Sequence, residues 1–207
     1  MKPSFKLGPG IAATALFAAA VAFAGSGVPE FSHRVHPLAL RGTVGLPQAA
    51  LFNVVAFVVP GLLLVWAGQR LRVALGDARW AARIGIVLVQ FSALAFGAQG
   101  VLPLDPTDTD ATASRVHALV WMLWWIAFVP GALLLALGAR RGAGFALTCL
   151  VAGLAVPLLA MAPPIGLWPG YAERLAFGAW FGWWLLAPLL ATCASASGPG
   201  SSPTAGK

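Results

Sequence analysis

The stretch Leu104-Asp-Pro-Thr-Asp-Thr-Asp-Ala-Thr-Ala-Ser-Arg-Val-His117 stands between two long apolar runs. It holds three of the chain's six acidic side chains, one of its three histidines and an arginine. So many polar groups are too costly to leave in hydrocarbon, so the stretch reads as a loop joining two membrane helices. The flanking runs, 80–102 and 117–138, each reach the roughly 20 apolar residues that a spanning helix needs. Four more runs do the same: 8–27, 47–68, 143–165 and 172–193. The fold expected is all-α, an integral membrane bundle of six transmembrane helices forming one domain over residues 1–194. Residues 195–207, rich in Ser, Gly, Pro and Ala, read as a disordered tail. Pro60, Pro130, Pro157 and Pro188 fall inside the runs; they predict kinks rather than breaks.

Composition agrees. Hydrophobic residues make up 59% of the chain and charged residues only 9%, with a mean hydropathy of +0.85. A soluble domain carries about 25% charged residues, so a soluble enzyme and a disordered chain are both excluded. The net charge of +7 has a membrane cause, basic residues collected in cytoplasmic loops, and no nucleic-acid partner is expected. Cys149 and Cys193 lie within or at the end of apolar runs, without metal or redox spacing, and read as packing residues without a disulfide.

Lys2 and Lys6 precede an apolar run that ends Ala22-Phe23-Ala24, the outline of a signal peptide. That run is longer than the 7–15 residues typical of one, and the first helix is expected to be retained. With the N-terminus in the cytoplasm, the cytoplasmic segments hold Lys2, Lys6, Arg70, Arg72, Arg79, Arg83, Arg140, Arg141 and Lys207, with Asp77. The outer segments hold Arg34, Arg41, Arg115 and Arg174. Nine basic residues against four, alternating loop by loop, predict both termini inside. A weak internal echo accompanies this: Val59-Pro-Gly-Leu-Leu-Leu-Val-Trp-Ala-Gly-Gln-Arg70 resembles Val129-Pro-Gly-Ala-Leu-Leu-Leu-Ala-Leu-Gly-Ala-Arg140. It reads either as stacked two-helix units of like orientation or as chance likeness between apolar helices.

On this topology His33, His36 and His117 all lie on the outer side, with five of the six acids. The expected polar belt comprises His36, Arg41, Asn53, Asp105, Asp108, His117, Glu173 and Arg174. Three readings of it stay open. A metal site would draw on His33, His36, His117 and Asp105, and zinc is the ion that His nitrogen and carboxylate oxygen would suit. Metal-free hydrolysis of a lipid-like substrate would use His117 as general base, with an acid such as Asp105 orienting it. Its nucleophile would come from Ser26, Ser32, Thr43, Ser92 or Ser114, none in a recognisable elbow. In the third, Arg41, Arg115 and Arg174 pair with Asp105, Asp108 and Glu173 and clasp the outer helix ends. The midplane offers Gln90, Ser92 and Gln99 but no buried acid, which argues against a proton-coupled pump.

Phe31-Ser-His-Arg-Val-His-Pro-Leu-Ala-Leu-Arg-Gly42, Leu51-Phe-Asn53, Pro60-Gly-Leu-Leu-Leu64, Gly100-Val-Leu-Pro-Leu-Asp-Pro106, His117-Ala118 and Glu173-Arg174 fall in that order. Together they resemble the uncharacterised prokaryotic membrane family catalogued as domain of unknown function 998, over about residues 8–190. Leu40-Arg41-Gly42 stands where the family has Leu-Gly, and Leu102-Pro-Leu-Asp105 where it has Phe-Pro-x-Asp. The resemblance implies a six-helix bundle in the bacterial inner membrane with a shared outer polar feature, and no activity. Transmembrane hydrolases resembling alkaline ceramidases offer a more distant likeness, with Ser, Asp and three His around zinc. They carry paired histidines in a late helix, and this chain has no histidine after His117. The function expected is an outer-face polar site for a small ligand or lipid, and the alternative is a metal-dependent membrane hydrolase acting on a lipid-like substrate.

Overall fold

A computed structural model describes residues 8–76, 78–108, 110–161 and 166–196. All regular structure among them is helical. The helices are α1 (Gly8–Phe23), α2 (Ala49–Leu75), α3 (Trp80–Ala98), α4 (Thr112–Gly138), α5 (Ala143–Met161) and α6 (Pro169–Ala196), with a single 3₁₀ turn at Leu38–Gly42. The last five are long and apolar enough to cross a membrane; α1 is apolar but shorter, 16 residues. Lys2, Lys6, Asp77, Lys207 and tail residues 197–207 lie outside the described residues. Ser195 and Ala196, expected in the tail, continue α6.

The helices outrun the apolar runs in several places, by most at α4 and α2. α4 begins at Thr112, five residues before the run starts at His117, and α2 continues past Gly68 to Leu75. Hydropathy marks where a helix enters hydrocarbon, whereas backbone hydrogen bonding continues wherever a face can pack. In α2 that face is Leu71 and Leu75, four residues apart and both buried.

Consecutive helices pack on one another around the bundle, and α6 closes it by returning to α1 and α2. Large apolar side chains such as Leu62, Trp66, Val87, Leu137 and Leu154 are turned outward, an arrangement suited to lipid rather than water. The interior is aromatic. Phe96 of α3 lies 5.3 Å from Phe57 of α2, 5.8 Å from Phe17 of α1 and 4.9 Å from Trp180 of α6, centroid to centroid. Trp124 of α4 joins them through Trp180 at 5.7 Å, edge to face.

Where hydrocarbon removes the hydrophobic drive between helices, close backbone approach takes its place, and small residues allow it. This gives the sequence echo a physical cause. Gly61 of the first copy meets α3 so closely that an added Cβ would lie 2.7 Å from Gly97 Cα. Its counterpart Gly131 meets the other end of α3, where an added Cβ would lie 3.1 Å from the Gly85 carbonyl oxygen. Both copies are thus glycine faces against one shared helix.

One turn of α2 departs from α geometry. Val54–Val58 forms a π turn, closed by the Val59 N–H donating to the Val54 carbonyl. Pro60 follows, and with no N–H it cannot serve the carbonyl four residues back. Widening the preceding turn accommodates that loss just beyond Asn53, at the level of the polar belt. α4, α5 and α6 run through Pro130, Pro157 and Pro188.

Candidate functional site

The belt residues occupy one end of the bundle, formed by the α1–α2 connection, the α3–α4 loop and the start of α6. The connection folds back because Arg41 draws its two ends together. The Arg41 Nε donates to the Ala24 carbonyl at 3.0 Å and a terminal nitrogen donates to the Pro47 carbonyl at 2.7 Å. Arg41 is only 4% exposed, and its guanidinium lies 5.6 Å from the Phe52 ring centre. Asn53 fixes the same segment from α2, its side-chain amide donating to the Gly42 carbonyl at 2.8 Å. The space a Gly42 side chain would need is taken by Asn53, which explains glycine there.

The α6 end docks onto this segment. The Glu173 carboxylate accepts the Leu38 N–H at 2.8 Å and stands 3.7 Å from an Arg174 terminal nitrogen. That nitrogen also donates to the carbonyls of Gly170, at 2.6 Å, and His36, at 3.1 Å. The remaining Arg174 nitrogens, Nε and Nη2, are buried without a hydrogen-bond partner among the described residues, and the guanidinium lies 5.8 Å from the Phe31 ring centre. The Gly170 N–H donates to the Arg34 carbonyl, and the Arg34 guanidinium caps the Trp168 ring at 4.0 Å.

Two of the three histidines sit together. His33 and His36 flank the Phe31 ring at 5.3 and 5.9 Å. The His36 Nδ1 accepts the Ser32 N–H, which assigns the ring proton to Nε2. Burial, and then the Arg174 charge, lower the His33 imidazole below its ordinary value.

His117 lies elsewhere, on the first turns of α4. Its Nδ1 is 2.6 Å from the Leu102 carbonyl, which can only accept; Nδ1 therefore carries a proton, and in the neutral ring Nε2 keeps its lone pair. Ser114, one turn earlier on the same face, ties down the preceding loop. Its hydroxyl contacts the carbonyls of Asp105 and Asp108, both at 2.9 Å, and also lies 3.2 Å from the Asp105 N–H.

The carboxylates of that loop face their own backbone. Asp105 accepts from the Thr107 hydroxyl and N–H, which hold its carboxyl below the usual range. Asp108 accepts the N–H groups of Asp110 and Ala111, ordering the turn before α4. The expected cross-pairing of three arginines with Asp105, Asp108 and Glu173 is thus realised only between Arg174 and Glu173. Arg41 binds backbone carbonyls, and Arg115 pairs with Asp110 in an exposed contact of 3.7 Å. Short turns offer Asp105 and Asp108 a nearer set of donors than distant guanidinium groups do. Among the described residues no group of three or more His, Cys, Asp or Glu side chains is gathered to hold a metal ion.

The structure instead brings His117 and Glu173 to one cavity, of about 400 Å³, between α4, α5, the start of α6 and the 3₁₀ segment. Trp121, Leu104, Leu159 and Pro169 supply apolar wall. That volume suits a small ligand or part of a lipid. Sequence reasoning singled out both ionisable residues, and Ser114 only as one of several candidate nucleophiles, but not Leu38 or Trp121, whose roles come from a folded connection. Ser114 carried one signal, its i, i+3 spacing from His117.

A family model described as "Protein of unknown function (DUF998)" matches residues 11–194 of the chain. No curated protein and no solved structure matches it.

Proposed function

The chain belongs to the DUF998 family of proteins of unknown function, and from that premise we propose that it binds an amphiphile at the belt end of its bundle. The observation that carries this reading is the cavity shared by His117 and Glu173. Its walls are apolar, and its two ionisable side chains offer acceptors, the His117 Nε2 lone pair and the Glu173 carboxylate. Trp121 adds an aromatic face that favours a cation. Such a lining takes a molecule with an alkyl body and a hydroxyl or amine head, and rejects an anionic head that would face the carboxylate. Leu38 and Arg174 already engage Glu173, so the carboxylate is held in place before the ligand arrives.

The reading places the protein in the bacterial inner membrane with both termini cytoplasmic and the cavity at the outer face. The charge asymmetry of the two ends supports this orientation. A membrane-impermeant thiol reagent applied to intact cells tests it: Arg115→Cys is expected to label and Arg72→Cys not to. The reverse pattern contradicts the orientation.

Binding is tested by titrating detergent-purified protein with dodecylamine, dodecanol and dodecanoate while following tryptophan fluorescence, since Trp121 lines the cavity. The amine is expected to bind tightest and the acid weakest. Glu173→Gln should remove the preference for amine over alcohol, and His117→Ala should weaken both. Tightest binding of dodecanoate, or an unchanged order in Glu173→Gln, overturns the reading.

A further inference from the structure

The opposite end of the bundle carries a second cavity, of about 470 Å³, beside the turn that joins α2 to α3. Its lining is of the opposite kind. Gln69 and Arg72 come from α2 and Arg83 from α3, while Val73, Leu75 and Ile86 supply apolar wall. The Arg83 Nε donates to the Ala78 carbonyl at 3.2 Å, which anchors one edge of the guanidinium to the turn and leaves its terminal nitrogens for another partner. Arg72 is exposed, and neither it nor Arg83 forms an ion pair among the described residues. From the α4–α5 connection, Arg141 reaches the same turn and donates to the Ala74 carbonyl at 2.7 Å. Arg72 and Arg83 thus line the cavity, and Arg141 binds the end of α2 from outside that lining.

We propose that this cavity binds the phosphate group of an anionic phospholipid, with Arg72 and Arg83 as donors. Guanidinium groups match phosphate oxygens in charge and in fork geometry. Gln69 adds a neutral donor, and Val73 and Ile86 offer a surface for the start of an acyl chain. A free phosphate ion shares the head chemistry but has no use for that apolar wall, so the lipid is the better fit. Basic pockets between helices on the cytoplasmic side are suited to anionic lipid heads.

The test uses the full chain in a neutral maltoside detergent, with lipid binding read by native mass spectrometry. The probes are phosphatidylglycerol, phosphatidylcholine and inorganic phosphate, applied to the wild type, Arg72→Gln/Arg83→Gln and Arg79→Gln/Arg140→Gln. The last variant removes the same charge from the same end but outside the cavity lining. Phosphatidylglycerol is expected to bind the wild type in preference to phosphatidylcholine. Arg72→Gln/Arg83→Gln should lose about thirtyfold of that preference, the effect of two cations near a membrane surface, while the control pair keeps most of it. Equal losses in the two pairs would show a diffuse surface charge and overturn the site. Inorganic phosphate binding as tightly as the lipid would overturn the assignment to a lipid.

Discussion

Two pairs of arginines, one at each end of this bundle, are put to opposite uses. At the belt end Arg41 is buried and donates to two main-chain carbonyls, and Arg174 bridges two more beside Glu173. At the other end Arg72 and Arg83 are exposed at the edge of an open cavity. A buried guanidinium is tolerated only when carbonyls or a carboxylate replace its water, and it then organises the chain around it. An exposed one keeps nitrogens free of internal carbonyls and available to a partner. The same residue type is thus structural in Arg41 and Arg174 and left open to a partner in Arg72 and Arg83.

The sharpest way to break this contrast is to remove one arginine from each end. Arg41→Ala strips two carbonyls of their donor and should cost about 3 kcal/mol or more of stability, whereas Arg72→Ala should stay within about 0.5 kcal/mol. Thermal unfolding in one detergent measures both, and comparable losses would erase the distinction. Asn53→Ala removes a single buried bond to Gly42 and should rank next, at about 1–2 kcal/mol in the same assay.

A smaller effect depends on pH. The His33 value is lowered in the folded protein, so as pH falls below about 6.5 the unfolded chain takes up that proton first. Stability therefore declines as pH drops from the ordinary imidazole value towards the lowered one, and is unaffected by this group above it. His33→Gln should flatten that part of the stability profile between pH 7 and 5. A profile as steep as that of the wild type would remove His33 as its cause. The smallest change is expected from Asp105→Asn, because the carboxylate serves only its own loop, Thr107 foremost; an NMR titration of the wild type should place its midpoint below the ordinary aspartate value.

The contrast also shows what could be read from the chain alone. Apolar runs located all the helices, because burying backbone in hydrocarbon leaves few alternatives, and the Lys and Arg distribution separated the two ends. That Glu173 and Arg174 would need partners was legible, because ionisable residues beside an apolar run are costly alone. The identity of those partners was not legible. Arg41 and Asn53 turn to main-chain carbonyls, which have no letter in a sequence. Asp105 and Asp108 satisfy themselves within the loop, so their prominence reflected turn chemistry rather than a shared centre. The cavity escaped notice because its walls are ordinary Leu, Ala and Pro from segments far apart in the chain. The α2 π turn was hidden as well, although Pro60 marks its place.

The most direct measurement is native mass spectrometry of the protein purified in mild detergent, beside an Ala160→Phe variant. Ala160 lines the belt cavity, so this substitution narrows the space while leaving His117 and Glu173 unchanged. The account predicts that added dodecylamine forms a one-to-one complex with the wild type and is excluded by Ala160→Phe, with both proteins folded by circular dichroism. Equal uptake by the two proteins would contradict it and leave the belt end as a clasp between helices.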